Sequence, residues 1–300
     1  MSLHFYLFDV NHGQSAAVLL PNNRWCIFDA GCSSELSPTL YIKALEERRN
    51  SMLFPIPLRN FKPFTFLKAT ISHLHGDHLS DYQNMFLILP EFFRTVVYDA
   101  EYLTDVYSSS ARESWDTISG FCRDHSNQYG TAVAIPDFGN VTVIERWLSV
   151  SVARALGGSA NSRVNNASII TRISCYGNSI LLCGDMETEA WEFVLNTAVD
   201  KEVWRSLVSN IDVLVVPHHG HSAGYSVDLM NLAKPSVVLV SVESKDEHVD
   251  SRYSSEAVKG IPVNGRTYKS ITTRMKGTIH FEIKAPVFPG LIGLRTWHGL

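Results

Sequence analysis

Short runs of β-branched and aromatic residues, separated by turn residues, open the chain. They are LHFYLFDV (3–10), SAAVLLP (15–21) and RWCIFDA (24–30), with NHGQ and PNN between them. Apolar runs bounded by Asn, Gly and Pro are typical of strands joined by tight turns, so the pattern predicts an antiparallel meander. A helical pattern follows in PTLYIKALEERRN, with Ser37 as its N-cap and Pro38 at the first helical position.

Strand and helix patterns alternate along the rest of the chain. Further strands are predicted in FKPFTFLKATISH (61–73), TVVYD (95–99), TAVAI (131–135), VTVIERWL (141–148), ASIITRISC (167–175), SILLCGD (179–185), IDVLVVPHH (211–219) and SVVLVSV (236–242). Helices are predicted over 101–128, 187–207 and 225–233. TYKSITT (267–273) and TIHFEIK (278–284) predict a closing strand pair around a Lys276-Gly277 turn.

The order of these elements indicates an α/β fold. Two series of strands, each followed by helices, predict two sheets packed face to face with helices outside, a four-layer αββα sandwich. We expect one domain over residues 1–300, with a helical insertion at about 101–130 and a basic C-terminal segment over 251–300. The Gly, Ser and Asn content of residues 149–166 predicts a mobile loop there.

Composition narrows the class of protein. A hydrophobic fraction of 45% over 300 residues is enough for a large core. No apolar run approaches the ~20 residues of a membrane span, and the start of the chain lacks the pattern of a signal peptide, so we expect no membrane association and a cytoplasmic location. The five cysteines form no C-x-x-C pair, which argues against a disulfide framework and against a thiolate zinc site.

Charge is spread unevenly along the chain. Residues 251–300 carry 8 Lys and Arg against 2 Asp and Glu, a balance of +6, whereas residues 1–250 carry 18 against 28, a balance of −10. This basic segment is either an ordinary solvated surface or a patch that contacts phosphates.

Within the stretch ISHLHGDHLSDY (71–82), the six residues from His73 to His78 include four of the types that bind metals. Histidine nitrogens and carboxylate oxygens are ligands of Zn²⁺, Mn²⁺ and Fe. Residues two apart on an extended strand point the same way, so His73 and His75 can hold one ion, while Asp77 and His78, beyond the Gly76 bend, hold a second.

Three further candidate segments also lie where predicted strands end. They are Asp29, Asp185 and the pair His218-His219. One such residue alone is usually part of a turn, but together with the His73–His78 cluster they indicate a metal site. Asp185 can bridge two ions about 3.5–4 Å apart, the spacing at which a shared water becomes a nucleophilic hydroxide.

The chain resembles the metallo-β-lactamase fold superfamily, and more closely the hydrolase domain of the DNA-uptake competence protein ComEC. The resemblance is carried, in chain order, by FDVNHGQSAAVLL, IFDAG, ISHLHGDH, NNASIITRI, LLCGD, VVPHHG and YKSITTRMKGTIHFEI. It spans nearly the whole chain.

The resemblance implies a role for each matching residue. His73 and His75 would bind the first divalent ion, Asp77 and His78 the second, and Asp185 would bridge the two. One of His218 and His219 would complete the second site, and the other would act on the substrate as an acid or a phosphate contact. Asp29 would hold a ligand histidine in its tautomer. Asp77, His218 and His219 are therefore also the candidate catalytic residues.

The chain departs from the superfamily pattern at two places. Many members have a histidine where this chain has NNAS (165–168). We expect Asn166 or Ser168 to fill that gap, with Ser168 also able to contact substrate, which makes Mn²⁺ a rival to Zn²⁺ in the first site. In VSVESKDEHVD (240–250), His248 stands in for a histidine of the ComEC-like pattern, without the surrounding Gly and Pro.

The resemblance, together with the basic segment, favours phosphodiester chemistry. We expect a nuclease that hydrolyses DNA or oligonucleotides, with Arg266 and Lys269 contacting phosphates. Since a free nuclease endangers its host, a partner protein is expected to restrain or direct it, in defence against foreign DNA.

Two other functions are compatible with the same residues. One is a phosphodiesterase for a small substrate, such as a cyclic nucleotide or a phosphocholine ester, which would require a closed pocket with few basic residues. The other is a non-catalytic, partner-binding module on the same fold. Hydrolysis of β-lactams or thioesters ranks lower, because those enzymes usually keep the missing histidine.

Overall fold

The fold is seen in a computed structural model of the chain. It describes residues 2–53, 66–88, 93–95, 99–109, 113–128, 136–243, 248–255, 257–263, 265–285 and 294–297.

Most described strands belong to two large sheets. The first sheet, in spatial order β15-β14-β1-β2-β3-β4-β5, contains β1 (Ser2–Leu7), β2 (Ala16–Leu19), β3 (Trp25–Phe28), β4 (Phe66–Thr70), β5 (Phe93–Thr95), β14 (Ile279–Lys284) and β15 (Leu294–Trp297). The second, in the order β13-β10-β9-β8-β7-β6, contains β6 (Val141–Arg146), β7 (Ile170–Cys175), β8 (Asn178–Leu182), β9 (Val213–Val215), β10 (Val237–Val240) and β13 (Ser270–Thr272). A separate hairpin joins β11 (Ile261–Val263) to β12 (Arg266–Tyr268).

The described helices connect these strands. They are α1 (Pro38–Leu53), α2 (Tyr82–Ile88), α3 (Ala100–Ser108), α4 (Trp115–Gln128), α5 (Val150–Ala155), α6 (Ala160–Asn166), α7 (Thr188–Glu192), α8 (Lys201–Val208), α9 (Val227–Ala233) and α10 (Thr273–Lys276). A π-helical segment, Phe193–Thr197, links α7 towards α8. No helix in the described part of the chain is long and apolar enough to cross a bilayer.

The facing surfaces of the two sheets form the central core. Residues of β1 alternate between buried and partly exposed, and its inward side chains Leu3, Phe5 and Leu7 are fully buried. They belong to the same cluster as Ile180 of β8 and Val213 of β9 in the second sheet. Period-2 burial of apolar side chains from both sheets is what a sheet-on-sheet interface requires.

Helices cover the outer face of each sheet. On the first sheet, Trp25 and Phe66 pack in one cluster with Ile42 of α1 and Phe121 of α4. On the second sheet, Leu181 and Leu214 share a cluster with the helical residues Trp191, Trp204 and Leu229. The layers therefore run helix, sheet, sheet, helix, and the predicted αββα sandwich is confirmed.

The local predictions have mixed outcomes. The β1-β2-β3 meander is antiparallel as predicted, and α3 and α4 occupy most of the predicted helical insertion. TAVAI (131–135) and the end of TVVYD (96–98) lie outside the described residues. The predicted helix over 187–207 is divided into α7, the π-helical segment and α8.

The prediction of a mobile loop over 149–166 is wrong. The segment forms α5 and α6, and the side chains of Ser149 and Ser159 accept hydrogen bonds from the backbone N–H groups of Val152 and Ser162. Serine is among the strongest N-cap residues. Gly157 and Gly158, both with positive φ (84° and 85°), separate the two helices. The Ser and Gly residues thus mark helix ends.

The predicted closing hairpin is also wrong. β13 pairs in parallel with β10 in the second sheet, whereas β14 pairs antiparallel with β1 in the first. The short helix α10 lies between them and ends at Gly277, whose φ is 66°. The two strands therefore connect the two sheets.

Candidate metal centre

The ends of several strands meet at one edge of the sandwich. β4 leads into the segment that ends at His78, β8 leads into Asp185, and β9 leads into His218 and His219. β3 runs parallel to β4, and β8, β9 and β10 run parallel to one another. Because the carboxyl ends of parallel strands face the same way, they bring these polar residues together.

Four side chains converge where the second metal was predicted. His219 Nε2 lies 3.3 Å from Asp77 Oδ2 and 3.6 Å from Asp185 Oδ2. His78 Nε2 lies 3.4 Å from His219 Nε2, 3.5 Å from Asp185 Oδ1 and 3.6 Å from Asp77 Oδ2. Zn²⁺ bound tetrahedrally to N and O ligands at about 2.0–2.1 Å separates neighbouring ligand atoms by about 3.3–3.4 Å. These side chains therefore fit a single small ion.

Fewer ligand atoms surround the predicted first metal. His73 Nε2 lies 3.1 Å from His75 Nδ1 and 3.8 Å from Asp185 Oδ2. His75 Nε2 and Asp185 Oδ1 are buried, and neither has a hydrogen-bond partner among the described residues. Two histidines and Asp185 could hold this ion, with coordination positions left for water or substrate.

Asp29 fixes the orientation of the His78 ring by contacting its Nδ1. Its Oδ2 lies 3.0 Å from His78 Nδ1, and its two oxygens also accept hydrogen bonds from the backbone N and the Oγ of Ser72 and from Gln14 Nε2. A carboxylate only accepts hydrogen bonds, so the proton of His78 lies on Nδ1 and Nε2 faces the centre. Asp29 has a left-handed φ of 58°, a conformation that Asp tolerates better than most residues.

The two histidines after β9 have different roles in the structure. The ring of His219 uses Nδ1 to contact Ser241 O at 3.2 Å, which directs Nε2 to the cluster. His218 points elsewhere: its Nδ1 lies 3.8 Å from Glu187 Oε1. Of the pair, His219 is therefore the one whose Nε2 lies among the candidate ligand atoms of Asp77 and His78, and His218 lines the cavity.

The structure shows the hydrogen-bond partners of the residues predicted in the NNAS segment. Asn166 Oδ1 accepts a hydrogen bond from the backbone N of Glu187, and Ser168 Oγ accepts one from the backbone N of Asp185 while lying 3.4 Å from His73 Nδ1. Ser168 is fully buried. Ser168 therefore contacts two candidate ligands, Asp185 and His73, and the expected roles of Ser168 and Asn166 towards metal and substrate stay predictions.

The centre concentrates negative charge. Burial lowers the pKa of His73 well below its ordinary value, and burial lowers the pKa of His75 to about 4. Burial raises the pKa of Asp77 and of Asp185, but the surrounding histidines outweigh it and hold both pKa values low. Burial also opposes protonation of His78, yet Asp185 and Asp77 raise its pKa well above normal. A bound divalent cation would offset the negative charge of Asp77 and Asp185, which otherwise favours a proton on His78.

A glycine on each side holds the backbone of Asp77 in place. A Cβ on Gly13 or on Gly31 would lie 2.4 Å from the carbonyl oxygen of Asp77. The Gly of NHGQ and the Gly of FDAG are therefore needed for the close approach of three chain segments. These glycines explain why the segments that follow β1 and β3 lie against the centre.

The clustered side chains open into a cavity of about 630 Å³. Its described lining contains histidines, carboxylates, hydroxyls and amides, and it includes neither lysine nor arginine. The histidines are His12, His75, His218, His219, His221 and His248. His248 is thus at the cavity, where its exposed ring can reach substrate.

The structure does not bring Arg266 and Lys269 to this cavity. Arg266 is exposed on β12, and Lys269 directly precedes β13, where its Nζ donates to Ser255 O at 3.0 Å. β13 runs parallel to β10. Thr273, which directly follows β13 at the end away from Lys269, therefore contacts Val242 beside the centre. Neither residue lines the cavity, and the expectation that Arg266 and Lys269 contact phosphates stays a prediction.

Asn165, Glu187 and His12 are residues of the cavity that the sequence did not single out. His12 Nε2 lies 3.8 Å from Asp77 Oδ2. Asn165 precedes the residue predicted as a ligand, and Glu187 follows the bridging Asp185 by two positions. Nothing in their spacing separates them from ordinary turn residues.

Comparisons with known proteins find only distant similarity. No family model matches the sequence, and no curated protein matches it. A solved structure from Thermotoga maritima, described as a Zn-dependent hydrolase of the metallo-β-lactamase superfamily, is similar with a TM-score of 0.40 and 11% identity, over 89% of this chain and 97% of that chain. The short form of human tRNase Z is similar with a TM-score of 0.37 and 13% identity, over 83% of this chain and 96% of that chain. At these scores the matches do not indicate a substrate.

Proposed function

We propose that the protein is a metal-dependent hydrolase of phosphodiesters that works with two divalent ions. The observation that carries the proposal is the convergence of Asp77, His78, His219 and Asp185, with N and O atoms 3.3–3.6 Å apart. His73 Nε2 lies 3.8 Å from Asp185 Oδ2, and His73 and His75 would hold the first ion of the pair. The ligand set contains no thiolate and includes oxygen donors, which suits Zn²⁺ and Mn²⁺ alike.

Two bound ions would supply an activated water and offset negative charge on the reacting ester. The chain's own residues would position both partners. Asp185 Oδ2 lies within 3.8 Å of both His73 Nε2 and His219 Nε2, so Asp185 would be the ligand shared by the two ions. Asp29 and Ser241 hold His78 and His219 in the tautomers that present Nε2. His248 faces the cavity, where it could donate a hydrogen bond to the ester or to the leaving oxygen.

The cavity favours a compact phosphodiester. A volume of about 630 Å³ is in the range of small-molecule sites, about 300–1,000 Å³. Polynucleotide grooves typically follow the backbone with positive charge, and the two predicted phosphate contacts, Arg266 and Lys269, lie away from the cavity. A cyclic nucleotide or a similarly small diester is therefore our first candidate substrate class. A nuclease acting on DNA or RNA is the second, supported by the resemblance to the ComEC hydrolase domain.

Hydrolysis assays on protein loaded with Mn²⁺ or Zn²⁺ test the proposal. We expect turnover of bis-p-nitrophenyl phosphate, which both substrate classes predict, and weaker or no cleavage of single-stranded DNA, double-stranded DNA and RNA. Efficient cleavage of a polynucleotide would favour the nuclease. Protein that carries two ions per chain and hydrolyses no phosphodiester would contradict the proposal, and the same preparation assayed on a β-lactam would show whether acyl chemistry replaces it.

A further inference from the structure

A group of hydrogen-bond acceptors lies beside the metal centre and is not used by it. The group consists of Asn165 at the end of α6, Glu187 immediately before α7, and His218 after β9. All three line the cavity. Asn165 is 3% exposed and Glu187 is 7% exposed, so these side chains form part of the cavity floor.

Glu187 is an unusual residue for the N-cap position of a helix. It is the N-cap residue of α7, yet its side chain makes no capping hydrogen bond. Ser, Thr, Asp and Asn are preferred there because their short side chains satisfy the first N–H groups of the helix. A longer carboxylate that turns away from the helix and towards a cavity is a departure of the kind expected at functional sites.

The two consecutive asparagines hold Glu187 in this orientation. Asn166 Oδ1 accepts from the backbone N of Glu187 at 2.9 Å, and Asn165 Nδ2 donates to Glu187 Oε1 at 2.8 Å. Thr188 Oγ1 then donates to Ala223 O at 2.7 Å, which ties the start of α7 to the segment after His218. Glu187 is thus fixed by its neighbours on both sides.

The network also fixes which atom of the Asn165 amide contacts Glu187. A carboxylate cannot donate, so the Asn165 atom that contacts Glu187 must be the amide nitrogen. Asn165 Oδ1 is then an acceptor, and it is buried with no hydrogen-bond partner among the described residues. His218 Nδ1, 3.8 Å from Glu187 Oε1, is likewise a buried atom with no hydrogen-bond partner among those residues. A buried acceptor is stabilised when a donor reaches it.

We infer that Asn165, Glu187 and His218 form an acceptor subsite for the substrate. The subsite binds a hydrogen-bond-donating group, an ammonium or a hydroxyl, on a carbon atom a few bonds from the reacting phosphoester. The inference rests on the proposed phosphodiesterase function, because it places the ester at the metal centre. Glu187 supplies charge and an acceptor, and Asn165 supplies a second acceptor in fixed orientation. The subsite selects substrates by their donor group; it is not part of the bond-breaking machinery.

Binding measurements can test the subsite without turnover. Propyl phosphate, 3-hydroxypropyl phosphate and 3-aminopropyl phosphate share one phosphate group and differ only in the distal group. We expect calorimetry with the Mn²⁺-loaded protein to show at least about tenfold tighter binding of a donor-bearing ester than of propyl phosphate, the size expected for hydrogen bonds to a charged acceptor. Preference for the aminopropyl ester identifies an ammonium, and preference for the hydroxypropyl ester identifies a hydroxyl. Equal binding of all three would overturn the subsite.

Variants assign that preference to the subsite. Glu187→Leu is expected to bring the affinity ratio close to one, whereas Glu187→Gln, which keeps the shape and removes the charge, should reduce an ammonium preference and largely retain a hydroxyl preference. Glu189→Leu, at an exposed position on the same helix, is the matched control and should keep the wild-type ratio. A wild-type ratio in Glu187→Leu would overturn the inference, as would an equal loss in the control.

Two readouts separate failure of the subsite from failure of the proposed function. Metal content and the melting temperature of each variant show whether the protein is folded and loaded, and Asn165→Leu provides a second variant if Glu187→Leu is unfolded. Failure of the wild-type protein to bind inorganic phosphate and all three esters would contradict the phosphoester site itself, and the subsite with it. Binding of all four without discrimination would contradict the subsite alone.

Discussion

Asp185→Asn is expected to lower phosphodiester hydrolysis by more than about a hundredfold, beyond the 10–100-fold that changing an outer partner of a metal ligand costs. Asp185 lies between the two halves of the centre, 3.6 Å from His219 Nε2 and 3.8 Å from His73 Nε2. An amide carries no charge and presents only one acceptor oxygen, so it cannot serve both ions. Elemental analysis of the purified variant should show at least one ion fewer per chain.

Asp116→Asn is the control for this experiment, since Asp116 is exposed on α4. It should keep the metal content and activity of the wild type. If Asp185→Asn also kept both, the assignment of Asp185 as the shared ligand would be wrong.

Trp191→Ala is expected to lower the free energy of unfolding by about 3–5 kcal/mol, as for other large-to-small substitutions of buried aromatic residues. Trp191 of α7 is fully buried in the outer core of the second sheet, and its Nε1 donates to Met186 O at 3.0 Å. Since Met186 directly follows Asp185, the substitution removes both packing and a hydrogen bond that supports the turn at the centre. Urea unfolding of the metal-free protein measures the change.

Trp147 provides the comparison, because it is 46% exposed. Trp147→Ala should cost much less, within about 1 kcal/mol, as expected for surface positions. Similar losses for the two tryptophan variants would show that α7 is not packed as described.

The sheets and layers could be predicted because their burial is periodic. Alternating apolar residues in β1 and continuous apolar runs in β8 and β10 follow from one-sided and two-sided burial of strands. The convergence of the His73–His78 cluster with Asp185 could be predicted because several side chains of metal-ligand types directly after buried strands are uncommon unless they form one site.

Several features could not be read from the chain because they depend on the direction of strands in space. The β13 and β14 patterns fit a hairpin, and only the sheet pairing shows that they join different sheets. The parallel direction of β13 also decides that Lys269 lies away from the metal centre. Local periodicity contains no information about either choice.

The sequence also does not show which of two identical neighbouring residues faces the cavity. Asn165 and Asn166 have the same side chain, and the geometry at the end of α6 turns one to the cavity and the other to the backbone of Glu187. His218 and His219 differ in the same way, because the ring of His219 contacts Ser241 O. Which of two neighbouring residues faces the cavity depends on hydrogen bonds to distant parts of the chain. The local sequence does not show these bonds.

Anomalous X-ray diffraction from crystals of the Mn²⁺- or Zn²⁺-loaded protein tests the two-metal centre most directly. We predict two anomalous peaks about 3.5–4 Å apart, the spacing of shared-water sites. One peak should lie among Asp77, His78 and His219, the other beside His73 and His75, with Asp185 contacting both. A loaded crystal with no peak at Asp185, or with a single peak there at full occupancy, would contradict the two-metal centre.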